Sequence, residues 1–202
     1  KKMLHGEWSR PEIEYLADNM WEFTEKVDGT NIRIGLDKGQ SVFGGKTDAA
    51  DTPPLLRQEL TRIVMAMPDV AREAISAKNP VTLYGEGYGA KMAAGSGNYS
   101  RTPKFVLFDV NVGGWWLRRD DVCDVATQLG LDVVPVVGYG TLYDAMDRVS
   151  DGKMKSSWGD FVAEGIVARP TTPLCSRAGH RIITKIKSKD FTDANWRSCL
   201  KS

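Results

Sequence analysis

Hydrophobic and polar residues alternate in short stretches near the N-terminus, in the pattern of strands with one buried face. Residues Trp21–Glu25 alternate, and so do residues 31–35 after an Asp28-Gly29 turn signal. A second turn signal, Lys38-Gly39, precedes a third alternating stretch at residues 41–44. We therefore expect three consecutive strands that form an antiparallel meander.

The rest of the chain mixes helical and strand-like periods. Apolar residues at helical spacing predict a helix over residues 55–77, which Pro68 should interrupt. Further helices are expected at residues 120–129, 141–149 and 191–200, and further strands at residues 81–84, 104–110, 133–137, 161–169 and 180–187. A glycine-rich loop is expected over residues 85–97. Trp115–Trp116 are expected in the core or as a pair on a sheet face rather than as a platform for substrate. Strands and helices do not alternate regularly, so the predicted fold class is α+β with much antiparallel sheet, in a single domain over residues 1–202.

Composition narrows the class of protein. The chain has 202 residues, of which 42% are hydrophobic and 26% are charged, so it can bury a sizeable core. The 27 Lys and Arg residues nearly balance the 26 Asp and Glu residues, so any nucleic-acid contact must come from a local patch. The three cysteines are widely spaced, which predicts a cytoplasmic protein with free thiols and no disulfide framework. The sequence lacks a long apolar run, so no membrane span is expected.

The strongest chemical signal is the segment EKVDGTN at residues 25–31. It places Lys26 at the end of a predicted strand, just before a tight turn where a ligand can approach the backbone closely. A lysine amine is a nucleophile when its surroundings keep it uncharged. A lone KxDG sequence is more often a surface hairpin with a solvated lysine, so this segment needs support from others.

Four further segments supply that support. Glu86 ends a predicted strand, where its carboxylate could accept hydrogen bonds from a ribose hydroxyl. Phe108 lies on a strand with alternating aromatic residues and could stack on a base, although core packing alone is the better explanation of that strand. Glu164 precedes a buried strand. Lys185 and Lys187 share one strand face, where two cations either form a solvated edge or bind phosphate.

In the order KxDGxN, YGE, FDV, EGIV and KxK, the five segments resemble the motifs of the covalent nucleotidyltransferase superfamily, which joins polynucleotide ends through a lysyl-AMP intermediate. Residues 23–33 are most similar to the first motif of RNA ligases of the phage RNA ligase 2 type. The resemblance spans residues 21–187. It implies an antiparallel-rich α+β adenylyltransferase domain, which agrees with the pattern of elements, and we expect no C-terminal accessory domain.

The resemblance also implies roles for individual residues. Lys26 would be the nucleophile that attacks the α-phosphate of ATP, with Lys185 and Lys187 as catalytic cations at that phosphate. Glu164 would help to position a divalent metal, Mg²⁺ or Mn²⁺, through its water shell. The residues implied to bind the nucleotide are Glu25, Asn31, Lys46, Glu86, Phe108, Glu164, Lys185 and Lys187.

Within that set, the family pattern places Asn31 near the α-phosphate, Glu86 at the ribose and Phe108 against the adenine. Lys46 departs from the pattern, because relatives usually have an arginine there that helps to bind the substrate 5′-phosphate. Lysine keeps the charge but lacks the bidentate guanidinium.

The resemblance implies the activity of an ATP-dependent RNA ligase in RNA repair. Such a protein would be a monomer that joins 5′-phosphate and 3′-hydroxyl ends of RNA and has no membrane association. Within the superfamily, an ATP-dependent DNA ligase and a GTP-using capping enzyme are the alternatives. The Thr-Asn pair after KxDG and the YGE segment favour an RNA ligase. A catalytically dead nucleic-acid-binding module is the alternative from another class, against which the five chemically intact motifs argue.

Overall fold

The computed structural model describes residues 6–38, 40–47 and 52–191. The chain divides into two compact units: unit 1 contains Lys1–Lys26 and Pro135–Ser202, and unit 2 contains Val27–Val134. Unit 2 is therefore one continuous segment inserted between two parts of unit 1. In chain order, the helices and strands are α1 (Pro11–Tyr15), β1 (Trp21–Glu25), β2 (Thr30–Asp37), β3 (Gln40–Gly44), α2 (Pro54–Ala66), α3 (Asp69–Ser76), β4 (Val81–Tyr88), β5 (Lys104–Val112), β6 (Trp115–Trp116), α4 (Arg119–Leu129), β7 (Val136–Gly140), α5 (Leu142–Val149), β8 (Gly165–Pro170) and β9 (Thr184–Lys187).

The sheet of unit 1 has four antiparallel strands in the order β7-β1-β8-β9. Strand β1 lies in its interior, with Trp21 opposite Gly140 of β7 and Glu25 opposite Ile166 of β8. Helix α5 packs on this sheet, and its apolar side chains share one core with those of the strands. Residues buried in this core include Trp21, Phe23, Leu142, Val149, Ile166 and Ile186.

The sheet of unit 2 has five antiparallel strands in the order β3-β2-β4-β5-β6. Helices α2 and α4 cover one face, toward which every second strand residue points, as expected for a strand with one buried side. Residues buried in this core include Ile32, Ile34, Leu56, Leu60, Leu83, Leu107 and Val122. The opposite face carries half-buried, mostly polar side chains, among them Arg33, Tyr84 and Glu86.

The predicted meander is wrong in one respect. Strands β2 and β3 form the expected hairpin, but β1 pairs with β7 and β8 in the sheet of unit 1. The Asp28-Gly29 turn signal lies just after the boundary at which the chain leaves unit 1. Turn residues predict a change of direction, and they do not determine which strand becomes the neighbour.

Strand β4 continues through residues that the glycine-rich sequence predicts to be a loop. It runs from Val81 to Tyr88, and Gly87 lies on the face that packs against α2. A Cβ atom at Gly87 would meet Leu56 Cδ2 at 2.5 Å. Glycine in this strand therefore permits close packing of a helix on the sheet. The loop prediction was wrong for residues 85–88.

Most other predicted elements are present. The interrupted helix is confirmed as α2 and α3, α4 ends at Gly130 in the left-handed conformation (φ 67°), and β8 and β9 form the expected antiparallel pair. Strand β7 begins at Val136, later than predicted, and the predicted helix at residues 191–200 lies outside the described residues after Phe191. Trp115 is 80% exposed, so a core position for the tryptophan pair is also wrong.

The α+β class with antiparallel sheets is confirmed, whereas the single domain stays a prediction. Among residues 6–38, 40–47 and 52–191, no helix is both long and apolar enough to cross a membrane.

Candidate active site

Lys26 follows directly after β1, and its backbone continues the pairing of that strand. The Lys26 amide donates a hydrogen bond of 2.9 Å to the Gly165 carbonyl oxygen at the start of β8. Because side chains alternate along a strand, Lys26 points away from the face that carries Phe23 and Glu25 into the core. The lysine is thus held by regular sheet hydrogen bonds.

Glu164 bridges two of the predicted lysines. Its Oε2 atom lies 2.5 Å from Lys26 Nζ, and its Oε1 atom lies 3.0 Å from Lys187 Nζ. The side chains of Lys26 and Glu164 are each 16% exposed, so this pair is largely removed from bulk water. Residues from three separate parts of the sequence therefore meet in one charged cluster, which we call the lysine cluster (Lys26, Glu164 and Lys187).

The backbone around Glu164 is fixed from both sides. Its carbonyl oxygen accepts a hydrogen bond of 2.9 Å from the Ser188 amide, just after β9. The next residue, Gly165, has a φ of 152°, and a Cβ atom there would collide with the Ile186 carbonyl oxygen. The glycine that follows the glutamate in the EGIV segment is therefore required by the close approach of β8 to β9.

Glu25 is buried beside the lysine cluster, with 1% of its surface exposed. Its Oε1 atom accepts a hydrogen bond of 2.5 Å from Ser156 Oγ, and its Oε2 atom accepts one of 2.7 Å from the Ser157 amide. Ser156 Oγ also accepts a hydrogen bond of 3.1 Å from the Trp158 amide. The carboxylate thus organises a loop of unit 1, and its contact with a nucleotide stays a prediction.

That loop belongs to a hairpin that leads directly into Glu164. The Ala163 amide donates to the Met154 carbonyl, and the Ser156 amide donates to the Phe161 carbonyl. Glu25 therefore binds the hairpin at its turn, while its neighbour Lys26 binds the glutamate that follows the hairpin. Two consecutive residues of the chain thus contact the turn of one hairpin and the residue after it.

Lys185 and Lys187 lie on the same face of β9, as predicted, with buried Ile186 between them on the other face. Lys187 contacts Glu164 directly, whereas Lys185 is more exposed and lies opposite Val167 of β8. The cationic pair on one strand face is thus present in unit 1.

Three predicted nucleotide-binding residues lie close together in unit 2. Asn31 of β2 and Glu86 of β4 are direct cross-strand partners on the face that the helices leave uncovered. Phe108 is the extra residue of a β-bulge in β5, where Tyr84 pairs with Asp109 but Gly85 pairs with Leu107. A bulge changes the direction of a side chain relative to the regular strand, and Phe108 is half-buried, outside the core of the sheet.

Lys46 is exposed and follows the end of β3. Arg33, its neighbour in space, was not among the predicted site residues. Arg33 Nε donates a hydrogen bond of 2.7 Å to the Gly45 carbonyl oxygen, one residue before Lys46. The guanidinium group also lies against Gly44, the cross-strand partner of Arg33. Arg33 therefore anchors the segment that carries Lys46 and places a guanidinium group beside it.

Two other supporting residues also escaped the sequence analysis. Asp28, in the KxDG segment, accepts a hydrogen bond of 2.8 Å from the Gly95 amide and so fixes a loop of unit 2. Ser156 gave no signal, because a serine followed by a polar residue is common in loops. For Asp28 a signal existed, since aspartate in a turn commonly accepts a backbone hydrogen bond.

The residues present fit a divalent metal that keeps most of its water. Among the described residues there is no group of three or more His, Cys, Asp or Glu side chains that could form an all-protein cage. Glu164 supplies one carboxylate beside cations suited to phosphate. Magnesium is commonly bound in this manner, by one or two carboxylates together with water and substrate phosphates.

Solved structures of an RNA ligase from Naegleria gruberi have the same fold. The form with pyrophosphate (PPi) has 17% sequence identity and a TM-score of 0.65, and the match covers 89% of this chain and 52% of the ligase chain. A lysine-to-alanine mutant with ATP and Mn has 16% identity and a TM-score of 0.67, covering 95% of this chain and 54% of that one. The chain thus spans about half the length of these ligases, and its fold is that of an RNA-ligase nucleotidyltransferase.

The sequence identifies the family independently. A profile of the family described as RNA ligase matches residues 19–187, which is most of the chain, and the chain therefore belongs to the RNA ligase family. No curated protein matches its sequence significantly. The resemblance inferred from the five motifs is confirmed at the level of the family and the fold.

Proposed function

We propose that this protein is an ATP-dependent RNA ligase that forms a covalent lysyl-AMP at Lys26. The observation that carries the proposal is the lysine cluster, in which one carboxylate holds the nucleophile at 2.5 Å and a second cation at 3.0 Å. Membership of the RNA ligase family supports the same reaction.

In the first step, Lys26 Nζ attacks the α-phosphorus of ATP. Attack requires the uncharged amine, so the ion pair with Glu164 must break and a proton must leave to solvent. The N–P bond forms as the bond from the α-phosphorus to the bridging oxygen breaks, and pyrophosphate leaves. Lys187 and Lys185 stabilise the negative charge that develops on the phosphate oxygens.

The residues of unit 2 bind the nucleoside part of ATP. Glu86 accepts hydrogen bonds from the ribose, Phe108 stacks on the adenine, and Asn31 lies near the α-phosphate. Their support is the cross-strand pairing of Asn31 with Glu86 and the bulge that contains Phe108. A divalent cation held by Glu164 and water would neutralise phosphate charge during the transfer.

Two further transfers complete the reaction. The 5′-phosphate of an RNA end attacks the same phosphorus, which releases Lys26 and forms a 5′-5′ anhydride with AMP. The 3′-hydroxyl of a second end then attacks that 5′-phosphate, a phosphodiester bond forms, and AMP leaves. Lys46 binds the 5′-phosphate, and the support for this role is its charge and the anchoring of the preceding Gly45 by Arg33.

Incubation with ATP labelled at the α-phosphate and Mg²⁺ tests the first step. We expect a labelled protein adduct that is sensitive to acid, as a phosphoramidate is, and that is absent in Lys26→Ala. Lys78→Ala, which removes an exposed lysine of unit 2, is the matched control and should label normally. An unlabelled wild-type protein, or an undiminished adduct in Lys26→Ala, would overturn the proposal.

Two further assays test the substrate, by distinguishing an RNA ligase from a capping enzyme and from a DNA ligase. Label transfer from GTP instead of ATP would indicate a capping enzyme. Nicked duplexes with RNA or DNA on the 3′-hydroxyl side separate an RNA ligase from a DNA ligase, and we expect sealing only when that side is RNA. Sealing of the DNA nick alone contradicts the assignment of RNA.

A further inference from the structure

An aromatic pair lies on the uncovered face of the unit 2 sheet. The rings of Tyr84 and Trp116 have centroids 4.9 Å apart and are inclined at 49°. Tyr84 is on β4 and Trp116 is on β6, with β5 between them, so the rings meet above β5. Asp109, the cross-strand partner of Tyr84 on β5, is 3% exposed.

Arg33 extends this pair across the sheet. It is the direct cross-strand partner of Tyr84 on the opposite side from β5, and its side chain lies on the same face. Arg33 and Tyr84 are direct partners, and Trp116, which lies opposite Asn111, meets Tyr84 diagonally across β5. We call Arg33, Tyr84 and Trp116 the aromatic row. Exposed Lys46 lies beyond its cationic end, next to the Gly45 carbonyl that Arg33 binds.

The aromatic row borders the residues that we propose to bind ATP. Glu86 follows Tyr84 by two positions on β4, so it lies on the same face at a distance of about 7 Å along the strand. Asn31 precedes Arg33 by two positions on β2 in the same way. The row is thus the next line of side chains on a face whose neighbouring line carries Asn31 and Glu86.

We propose that the aromatic row binds a single-stranded segment of the RNA substrate next to the end that is joined. This inference rests on the proposed ligase function. Trp116, which is 39% exposed, and Tyr84 stack on a base, while Arg33 and Lys46 contact the phosphate backbone.

The chemistry of the row favours a nucleic-acid strand over other ligands. Every base has a flat π-face, so stacking on aromatic side chains tolerates any sequence, as a repair ligase would require. Bases and phosphates alternate along a single strand of RNA. Tyr84 and Trp116 can therefore stack on a base while Arg33 and Lys46 bind a neighbouring phosphate. The aromatic row adjoins Asn31 and Glu86 on the same sheet face, so such a strand would lie next to residues that we propose to bind ATP.

Trp116 has a matched control in its own neighbour. Trp115 precedes it on β6, is 80% exposed and points to the other face of the strand. The experiment measures the Kd of the full chain for a short, 5′-phosphorylated, fluorescent single-stranded RNA by anisotropy, at one fixed salt concentration. Self-adenylylation with labelled ATP is measured on the same samples.

For Trp116→Ala we expect the Kd to rise by about 5- to 100-fold, the range found when one stacking residue is removed. Trp116→Phe should retain most of the affinity, Trp115→Ala should change it less than twofold, and self-adenylylation should remain near the wild-type rate in all three. If Trp116→Ala binds the RNA as well as Trp115→Ala does while it adenylylates normally, the row does not bind RNA. If the wild type neither adenylylates nor binds, the proposed function itself fails.

A second measurement needs no variant. RNA that contains 5-iodouridine near its 5′ end is irradiated with the wild-type protein, and the adducts are mapped by mass spectrometry. We expect cross-links at Trp116 or Tyr84. Cross-links that map only elsewhere would overturn the proposal, even if Trp116→Ala weakened binding through misfolding.

Discussion

Unit 1 and unit 2 hold their functional residues in different ways. In unit 1, ion pairs to Glu164 fix the lysine cluster, and hydrogen bonds from Ser156 and Ser157 fix buried Glu25. In unit 2, the aromatic row lies on the sheet face opposite the helices, together with half-buried polar side chains such as Glu86. Fixed charges suit bond-making, because small displacements of reacting atoms greatly lower the rate, whereas an open aromatic face suits binding of variable bases. The functions that we propose for the lysine cluster and for the aromatic row should therefore be separable by mutation.

The largest effect should come from Glu164→Gln in unit 1. The amide cannot hold two lysines by charge, so we expect self-adenylylation to slow by about 100-fold or more, while affinity for single-stranded RNA stays within twofold of wild type. Glu14→Gln, which neutralises an exposed carboxylate of α1, is the control. If both activities fell together in Glu164→Gln, the proposed separation of the units would be wrong.

Removal of the support behind the cluster should have the next largest effect. Ser156→Ala deletes the hydroxyl that donates to buried Glu25, and we expect the free energy of unfolding to fall by about 2 kcal/mol. Ser157→Ala is a matched control, because Ser157 binds Glu25 through its backbone amide and keeps that hydrogen bond. Urea unfolding measures both variants, and equal stability of the two would refute the role of the hydroxyl.

In unit 2, Arg33→Met should alter the salt dependence of RNA binding. If Arg33 neutralises one phosphate, the slope of log K against log salt should decrease in magnitude by about 0.7. Arg62→Met removes an exposed arginine on the helical side of the same unit and should leave the slope unchanged. An unchanged slope in Arg33→Met would show that Arg33 does not contact an RNA phosphate and only anchors Gly45.

The smallest effect should come from the cap of α5, which lies in unit 1 but outside the cluster. The Thr141 side chain and amide both bind the Asp144 carboxylate and hold its pKa below the usual value. This contribution to stability is therefore complete above the ordinary pKa of aspartate and is lost as the pH falls through the lowered one. Asp144→Asn should cost about 1 kcal/mol at pH 7.

Urea unfolding at pH 7 and at pH 3 or below measures that cap. The difference between the wild type and Asp144→Asn should shrink at the lower pH, because the wild-type carboxylate also becomes protonated. Asp18→Asn, which removes an exposed carboxylate elsewhere in unit 1, is the control. A difference that grew on acidification would contradict the sign of the pKa shift.

Local signals in the sequence were sufficient for several parts of the molecule. Alternation predicted Trp21–Glu25 with the bounds that the strand has, and proline and glycine predicted where α2 and α4 end. The motifs selected Lys26, Glu164 and Lys187, which the structure brings into contact.

Other parts depend on contacts that no local pattern contains. The partners of β1 lie far along the chain in β7 and β8, so turn signals assigned it to the wrong neighbours. The glycines of β4 are explained only by the approach of Leu56 from a helix at Gly87 and of Phe105 from the neighbouring strand at Gly85. Ser156 matters because Glu25 is buried against it, and the exposure of the tryptophans follows from the position of β6 at a sheet edge.

The insertion of unit 2 into unit 1 has a consequence for engineering. The Glu25 amide donates a hydrogen bond of 3.0 Å to the Pro135 carbonyl oxygen, so the two places where unit 1 is interrupted adjoin each other. A short linker from Lys26 to Pro135 would close unit 1 after removal of residues 27–134, and another module could be spliced in at the same junction. Because Asn31, Glu86 and Phe108 lie within residues 27–134, a module spliced in there would have to supply its own residues for the proposed nucleotide binding.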